Sequence, residues 1–101
     1  MINLKIKKYE VFICACECKS VSQAAKIFGN SQSGITQLLN SLEDELGLKL
    51  LVRNKNGVRM TDEGHLMYNA IKKVVEANRN VKEMAARLKV DGENILRIGA
   101  F

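Results

Sequence analysis

The chain has 101 residues, of which 47% are hydrophobic and 27% are charged. These values are typical of one globular domain with a modest core, and they exclude a disordered chain. No apolar run approaches the roughly 18 residues that span a bilayer, and no cationic, apolar leader opens the chain. We therefore expect a soluble, cytoplasmic protein with no membrane contact.

The formal net charge of +5 weakly favours a polyanionic partner. Residues 1–60 contain nine Lys and Arg against five Asp and Glu, whereas residues 61–101 contain seven against six. A polyanion would therefore contact the first 60 residues.

A first helix is predicted over residues 4–18. Its apolar side chains recur at helical spacing: Tyr9, Phe12, Ala15 and Cys16. Three lysines give its beginning a positive edge that opposes the helix dipole: Lys5, Lys7 and Lys8. Solubility or phosphate contact would account for them.

The helix also carries three cysteines, Cys14, Cys16 and Cys18. Cys14 and Cys18 share a helix face while Cys16 points away, which disfavours ligation of one metal by all three. An odd count without a secretion signal predicts reduced thiols. We interpret them as small, half-buried apolar side chains. A redox-sensing or metal-sensing role is the alternative.

The second helix has clear start and stop signals. Ser20 and Gln23 fit a capping box, in which the hydroxyl of the first residue accepts a hydrogen bond from the backbone N–H of the fourth residue. Ala24 and Ala25 provide a small-residue face, and Gly29 is typical of the left-handed residue that ends a helix.

A third helix follows after about three residues, and this spacing predicts a helix-turn-helix. Ser31 is the favoured N-cap, with Asn30 as the alternative, and Gly47 closes the helix. Four apolar residues at helical spacing define its core-facing side: Ile35, Leu39, Leu42 and Leu46.

The opposite side of this helix carries only uncharged hydrogen-bonding side chains: Gln32, Ser33, Thr36, Gln37 and Asn40. The second helix of a helix-turn-helix enters the major groove of DNA. Gln and Asn can pair bidentately with adenine, and Thr can contact the thymine methyl group. We interpret this side as a base-reading surface; an ordinary solvated face is the alternative.

The pattern changes after Gly47. A strand over residues 48–53, a turn over 54–57 and a returning strand over 58–60 predict a β-hairpin wing. Contacts to the DNA backbone or minor groove are predicted for five residues: Lys26, Ser31, Arg53, Lys55 and Arg59. The acidic residues 43–45 would repel phosphate at the far end of the third helix.

A long helix is predicted over residues 62–89, capped by Thr61 and about 40 Å long. Residues at alternating steps of three and four form a coiled-coil seam: Met67, Ile71, Val74, Asn78, Val81, Ala85 and Leu88. Packing on the first helix can explain only the first part of this seam, so a homodimer is predicted. Beyond Asp91 and Gly92, residues 94–101 predict a strand, which we interpret as the first strand of a missing domain.

Five linked motifs carry a family resemblance: Ser20-x-x-x-Ala24-Ala25, Ser31-Gln32-x-x-Ile35-Thr36, Leu42-Glu43-x-Glu45-Leu46-Gly47, Leu50-Leu51-x-Arg53 and Met60-Thr61-x-x-Gly64. Together they resemble the N-terminal domain of LysR-type transcriptional regulators. Residues 96–99 resemble the start of that family's effector-binding domain. The resemblance implies a mainly α winged helix-turn-helix over residues 1–61, an antiparallel dimerisation helix over 62–90, and a hinge with the first strand of an effector domain over 91–101.

The resemblance also implies site roles. Residues matching Gln32, Ser33, Thr36 and Gln37 contact bases or nearby phosphates in the family, and those matching Arg53 and Arg59 contact the backbone or minor groove. This chain departs from the family where a common proline is Ser33, where a frequent arginine is Gln37, and where a usual phenylalanine is Leu51. Gln37 shifts the expected base preference from guanine toward adenine, or toward a weaker contact.

The leading hypothesis is a homodimeric, nucleoid-associated regulator that binds a pseudo-palindromic, A·T-leaning duplex. We expect no enzyme, because no nucleophile–base pair, carboxylate pair or phosphate loop is evident, and no cofactor in this fragment. A small-molecule effector would bind the missing domain. The full-length protein could be a dimer or a tetramer. The rivals are a winged helix that binds protein and a thiol- or metal-based sensor.

Overall fold

The computed structural model describes the backbone of residues 3–98 and the side chains of residues 6–90. Its elements follow in chain order: α1 (Asn3–Cys18), α2 (Val21–Phe28), α3 (Gln32–Leu46), β1 (Leu51–Asn54), β2 (Gly57–Met60) and α4 (Asp62–Ile98). The predicted mainly α, winged helix-turn-helix architecture with a long final helix is confirmed. Among the described residues, no helix is both long and apolar enough to cross a membrane.

The predicted helix ends of the helix-turn-helix are confirmed. The Ser20 hydroxyl accepts from the backbone N–H of Gln23 at 3.1 Å, and Gly29 ends α2 in the left-handed conformation. The Ser31 hydroxyl accepts from the N–H of Gly34 at 3.0 Å and caps α3, which Gly47 ends. These caps satisfy backbone groups that a helix terminus otherwise leaves unpaired.

The core lies where α1 meets α2 and α3. Phe12 is fully buried at its centre, and Ala24 and Ala25 let α2 approach α1 closely. The core-facing residues predicted for α3 are buried or half-buried as expected: Ile35, Leu39, Leu42 and Leu46. Because this packing fixes one side of α3, the opposite side faces solvent.

The wing is a two-stranded antiparallel hairpin in which Leu51 pairs with Met60 and Asn54 with Gly57. Its first strand starts at Leu51, three residues later than predicted. Leu50 lies opposite Thr61 in the same register, and its carbonyl still accepts from the N–H of Thr61. Its N–H, however, donates to the Glu43 carboxylate, so the ladder is incomplete at this pair and β1 begins at Leu51.

The wing is joined to the turn between α1 and α2. The N–H of Val58 donates to the carbonyl of Lys19 at 3.2 Å, and a Cβ atom added at Gly57 would lie 2.6 Å from that carbonyl oxygen. Lys19 has a φ of 56°, and it is the only non-glycine residue with positive φ in the described part of the chain. This conformation costs an L-residue roughly 1–2 kcal/mol.

α4 extends further than predicted. The backbone is helical through Gly92 to Ile98, so the expected helix end and the strand predicted from residue 94 are wrong as far as the structure describes them. A strand needs a neighbour to pair with, and helix is the conformation that needs no partner for its backbone bonds. Residues 99–101 of that prediction lie outside the described residues.

The predicted seam of α4 divides into two parts. Ile71 is only 3% exposed and Met67 packs beside it, so the beginning of the seam belongs to the domain core. Burial of Ile71 within its own chain favours the alternative of packing on α1 for that part of the seam. Val81 and Leu88 are 66% and 51% exposed.

Gly64 provides a test of how α4 meets the wing. It is buried in the first turn of α4, where an added Cβ would collide with the carbonyl oxygen of Leu50. We expect Gly64→Ala to lower the free energy of unfolding by about 2 kcal/mol or more, measured by denaturant titration. Gly34→Ala is the control, because the three atoms nearest to its Cβ belong to the side chains of Asn30 and Ser31 and not to the backbone. Equal losses in the two variants would contradict this packing.

Candidate nucleic-acid interface

The predicted reading surface lies on the solvent side of α3. Gln32, Ser33, Gln37 and Asn40 are exposed, and Thr36 is half-buried. Two further hydrogen bonds organise the start of the helix despite the absent proline: the Asn30 side-chain oxygen accepts from the N–H of Ser31 at 3.0 Å, and the Ser31 and Ser33 hydroxyls lie 3.3 Å apart.

A groove between α3 and the wing brings reading and backbone-contact residues together. We call it the wing groove; its volume is about 380 Å³. Its lining combines the start of α2, the start of α3 and the wing: Ser20, Val21, Ser22, Gln32, Thr36, Arg53, Asn54, Lys55, Gly57 and Val58. Two predicted base readers, Gln32 and Thr36, thus lie beside two predicted cations, Arg53 and Lys55.

Gln37 lies on the other flank of α3. There it lines a groove of about 440 Å³ with Lys7, Lys8, Asn30 and other residues of α3. Asn40 lies further along the helix in a depression that also contains Glu43 and Asp44. The reading side chains therefore occupy both flanks of the helix, as expected for a helix that lies along a groove between two phosphate strands.

The Glu43 carboxylate is a buried structural group, which corrects its assignment as a repulsive acid at the end of α3. Its Oε2 accepts from the N–H groups of Leu50 and Leu51 at 2.8 and 3.0 Å. Its Oε1 lies 3.1 Å from Arg53 Nη2 and 3.9 Å from Lys49 Nζ. We name this arrangement the Glu43 bracket, because it joins α3 to the wing.

Arg53 is therefore not a free cation. Its side chain is 23% exposed, its Nη2 pairs with Glu43, and its Nε is buried without a partner in the described structure. It still lines the wing groove. Its first role is structural, and a contact with DNA would use the part of the guanidinium that Glu43 leaves free.

The remaining predicted cations fall into two groups. Lys8 is buried and its Nζ lies 3.2 Å from the Glu45 carboxylate, so it is paired. Lys26, Lys55 and Arg59 are exposed, Lys7 is half-buried, and none of the four forms an ion pair with another described side chain. The side chain of Lys5 lies outside the described residues.

Cys16 lies in the core and Cys14 packs against it. Burial, together with the nearby Glu17 charge, raises the pKa of Cys16 to about 12. Burial, followed by the hydrogen bond and charge of Cys18 at 3.9 Å, raises the pKa of Cys14 to about 11. Both thiols are less reactive than free cysteine at neutral pH, which favours the packing interpretation. Within residues 6–90 no three His, Cys, Asp or Glu side chains cluster as a metal site.

Sequence reasoning missed the role of Glu43, although a signal was present. Glu43 follows Ile35 and Leu39 at intervals of four, so it lies on the buried stripe of α3. A charged residue on such a stripe is almost never fully buried unless it is paired. Its partners could not be predicted, because they lie six to ten residues away across a turn of irregular structure.

The capped α3, its uncharged outer side and the cationic wing define a winged helix-turn-helix DNA-binding domain. Residues 6–65 match the family model described as "Bacterial regulatory helix-turn-helix protein, lysR family". The chain therefore belongs to the LysR family, and it is a LysR-type DNA-binding domain whose relatives are transcriptional regulators.

The chain is 31% identical over 96 residues to an uncharacterized HTH-type transcriptional regulator of Methanocaldococcus jannaschii, covering 95% of this chain and 32% of that protein. It is 30% identical over 95 residues to the HTH-type transcriptional activator AaeR of Escherichia coli, covering 94% of this chain and 31% of AaeR. The chain thus spans about a third of the length of these relatives.

Solved structures of LysR-type DNA-binding domains share the fold. The BenM DNA-binding domain in complex with catB site 1 DNA has a TM-score of 0.77 and 27% identity, covering 83% of this chain and 93% of that one. The CbnR DNA-binding domain in complex with DNA has a TM-score of 0.72 and 30% identity, covering 81% and 95%.

The Glu43 bracket predicts a large difference between neighbouring acids. Glu43→Ala removes the acceptor of two backbone N–H groups and the partner of Arg53, so we expect a loss of about 2–4 kcal/mol in the free energy of unfolding. Asp44→Ala removes an exposed carboxylate that has no hydrogen bond or ion pair with another described side chain. This variant should change the free energy of unfolding by less than about 0.5 kcal/mol. Denaturant titration measures both. Similar values would show that the bracket is not a structural link.

Proposed function

We propose that this chain is the DNA-recognition part of a sequence-specific, homodimeric transcription regulator of duplex DNA. The main support for this proposal is the uncharged, hydrogen-bonding side of α3. A groove lies on each flank of this side, and each groove is lined in part by cationic side chains. Such a surface can distinguish bases through hydrogen bonds, while the cations alongside supply attraction that does not depend on sequence.

In this proposal the N-terminal half of α3 enters the major groove. Gln32 and Gln37 can each present an amide to an adenine edge, and the Thr36 methyl can contact a thymine methyl. Asn40 lies one turn further along α3, where it would contact the end of the site. The resulting preference leans toward A·T base pairs.

Affinity in this proposal comes from exposed cations outside the reading surface. Lys26 on α2, with Lys55 and Arg59 on the wing, would contact phosphates or the minor groove, and the Ser31 hydroxyl would assist at the start of α3. Arg53 contributes mainly by fixing the wing. This division gives backbone positioning to one set of residues and base choice to another.

The second half of α4 supports a homodimer. At about 1.5 Å per residue, 37 helical residues extend about 55 Å, well past the core. Between residues 76 and 90, the large apolar side chains of α4 are exposed: Val81, Met84, Leu88 and Val90. A second α4 would cover them, Asn78 and Ala85 would lie along the same seam, and two reading helices would then face a pseudo-palindromic site.

The chain spans a third of its relatives, so regulation is proposed for a longer protein. A small-molecule effector would bind a following domain and act through α4. Regulation would take place in the cytoplasm at the nucleoid, without any catalytic role for this domain.

Gln37→Ala tests base reading. A preferred duplex is first selected from a random library with the purified chain. We then expect Gln37→Ala to reduce discrimination between this duplex and a scrambled one by about 1–3 kcal/mol, while sparing affinity for the scrambled duplex. Lys55→Ala is the contrast, because it should weaken binding to both duplexes equally and lower the salt slope by about 1. If Gln37→Ala weakened binding to both duplexes equally, Gln37 would not be a base-reading residue.

Val81→Asp tests the seam. A carboxylate placed in an apolar interface is unpaired, so we expect at least about tenfold weaker dimerisation in sedimentation equilibrium. Asn80→Asp adds the same charge to a neighbouring exposed position outside the seam and should leave the dimer intact. Loss of the dimer in both variants, or in neither, would contradict this assignment of the interface.

A further inference from the structure

A second groove lies beside the wing, between β2, the end of α1 and the first turns of α4. Its volume is about 270 Å³, and we call it the β2–α4 groove. Three of its six lining residues carry nitrogen donors: Lys19, Arg59 and His65. The others are Cys16, Val58 and Met60. Neither Lys19 nor His65 has a role predicted from the sequence.

The charges in this groove are available to a ligand. Lys19, Arg59 and His65 are all exposed, and none of them forms an ion pair within the described part of the chain. The nearest acids in sequence are Glu17 on α1, which pairs with Lys72, and Asp62 and Glu63 at the start of α4; none of the three lines the groove. The groove therefore presents two unpaired cations and an imidazole.

The backbone of Lys19 is a second, independent observation. α2 and α3 each end in a left-handed glycine, Gly29 and Gly47, whereas the left-handed residue after α1 is Lys19. Glycine adopts this conformation without strain and lysine does not. A strained residue that the surrounding structure holds in place points to a use for its side chain.

Lys19 is also fixed relative to the interface. Its carbonyl accepts from the N–H of Val58, and Val58 lines both the wing groove and the β2–α4 groove. Ser20, the next residue along the chain, lines the wing groove. The β2–α4 groove is thus a continuation of the candidate DNA interface around β2.

We propose that Lys19, Arg59 and His65 bind phosphates of the duplex that flanks the segment read by α3. This inference rests on the proposed function and extends the backbone contact to the far side of the wing. Lys19 and Arg59 would supply charge, and His65 would donate a hydrogen bond to a phosphate oxygen.

Lys19→Gly separates a binding role from a structural one, because its two effects have opposite directions. Relief of the left-handed strain should keep the Tm at or above that of the wild-type chain. Loss of the ammonium group should weaken binding to every duplex by about fivefold at moderate salt and lower the salt slope by about 1. Lys19→Gln should show the same loss of binding.

Lys89→Gln is the matched control, since it removes one positive charge from an exposed position far along α4. It should leave affinity and slope unchanged. Unchanged binding in Lys19→Gly, or an equal loss in Lys89→Gln, would overturn the inference. If the wild-type chain binds duplex DNA with a steep salt slope while Lys19→Gly binds equally well, only this inference fails. If the wild-type chain shows no salt-dependent binding, the proposed function fails as well.

Discussion

The Glu43 carboxylate joins α3 to the wing. One of its oxygens accepts from two backbone N–H groups ahead of β1 and the other pairs with Arg53 on β1. A buried carboxylate is tolerated only where its lone pairs and charge are satisfied, so these contacts confine the wing to one position relative to α3. The wing groove exists because of this constraint, since α3 forms one wall and the wing the other.

The same constraint divides the cations near α3 into paired and unpaired groups. Arg53 is occupied by Glu43, and Lys8 by Glu45. Around α3, the cations without an ion pair in the described part of the chain lie on the wing, on α1, on α2 and at the α1–α2 turn, while the N-terminal half of the outer side of α3 carries no charge. In the account proposed above, phosphates are bound around the reading helix and bases are distinguished by its neutral side chains.

Local patterns in the sequence predicted the helix-turn-helix well. Ser20, Gly29, Ser31 and Gly47 act on the backbone within a few residues, so their effects follow from spacing alone. The wing turn, where the Asn54 side chain accepts from the N–H of Asn56, is local in the same sense.

Features that depend on distant partners could not be predicted in this way. The late start of β1 and the pairing of Arg53 both depend on Glu43, which lies on another element. The left-handed conformation of Lys19 could not be predicted from the residues around it, because the N–H of Val58 on the wing holds its carbonyl group. The strand predicted from residue 94 relied on β-type composition without a partner to pair with, and the backbone there is helical to Ile98.

The central claim is that charge supplies affinity and the neutral side of α3 supplies the choice of site. The most direct test is the affinity of the wild-type chain for a selected and a scrambled duplex over a range of salt concentrations. The account predicts that both affinities fall steeply with the logarithm of salt concentration. It also predicts that the ratio between them stays constant, because uncharged hydrogen bonds set it. A ratio that falls toward one as salt rises would contradict the account, and so would affinities that do not depend on salt.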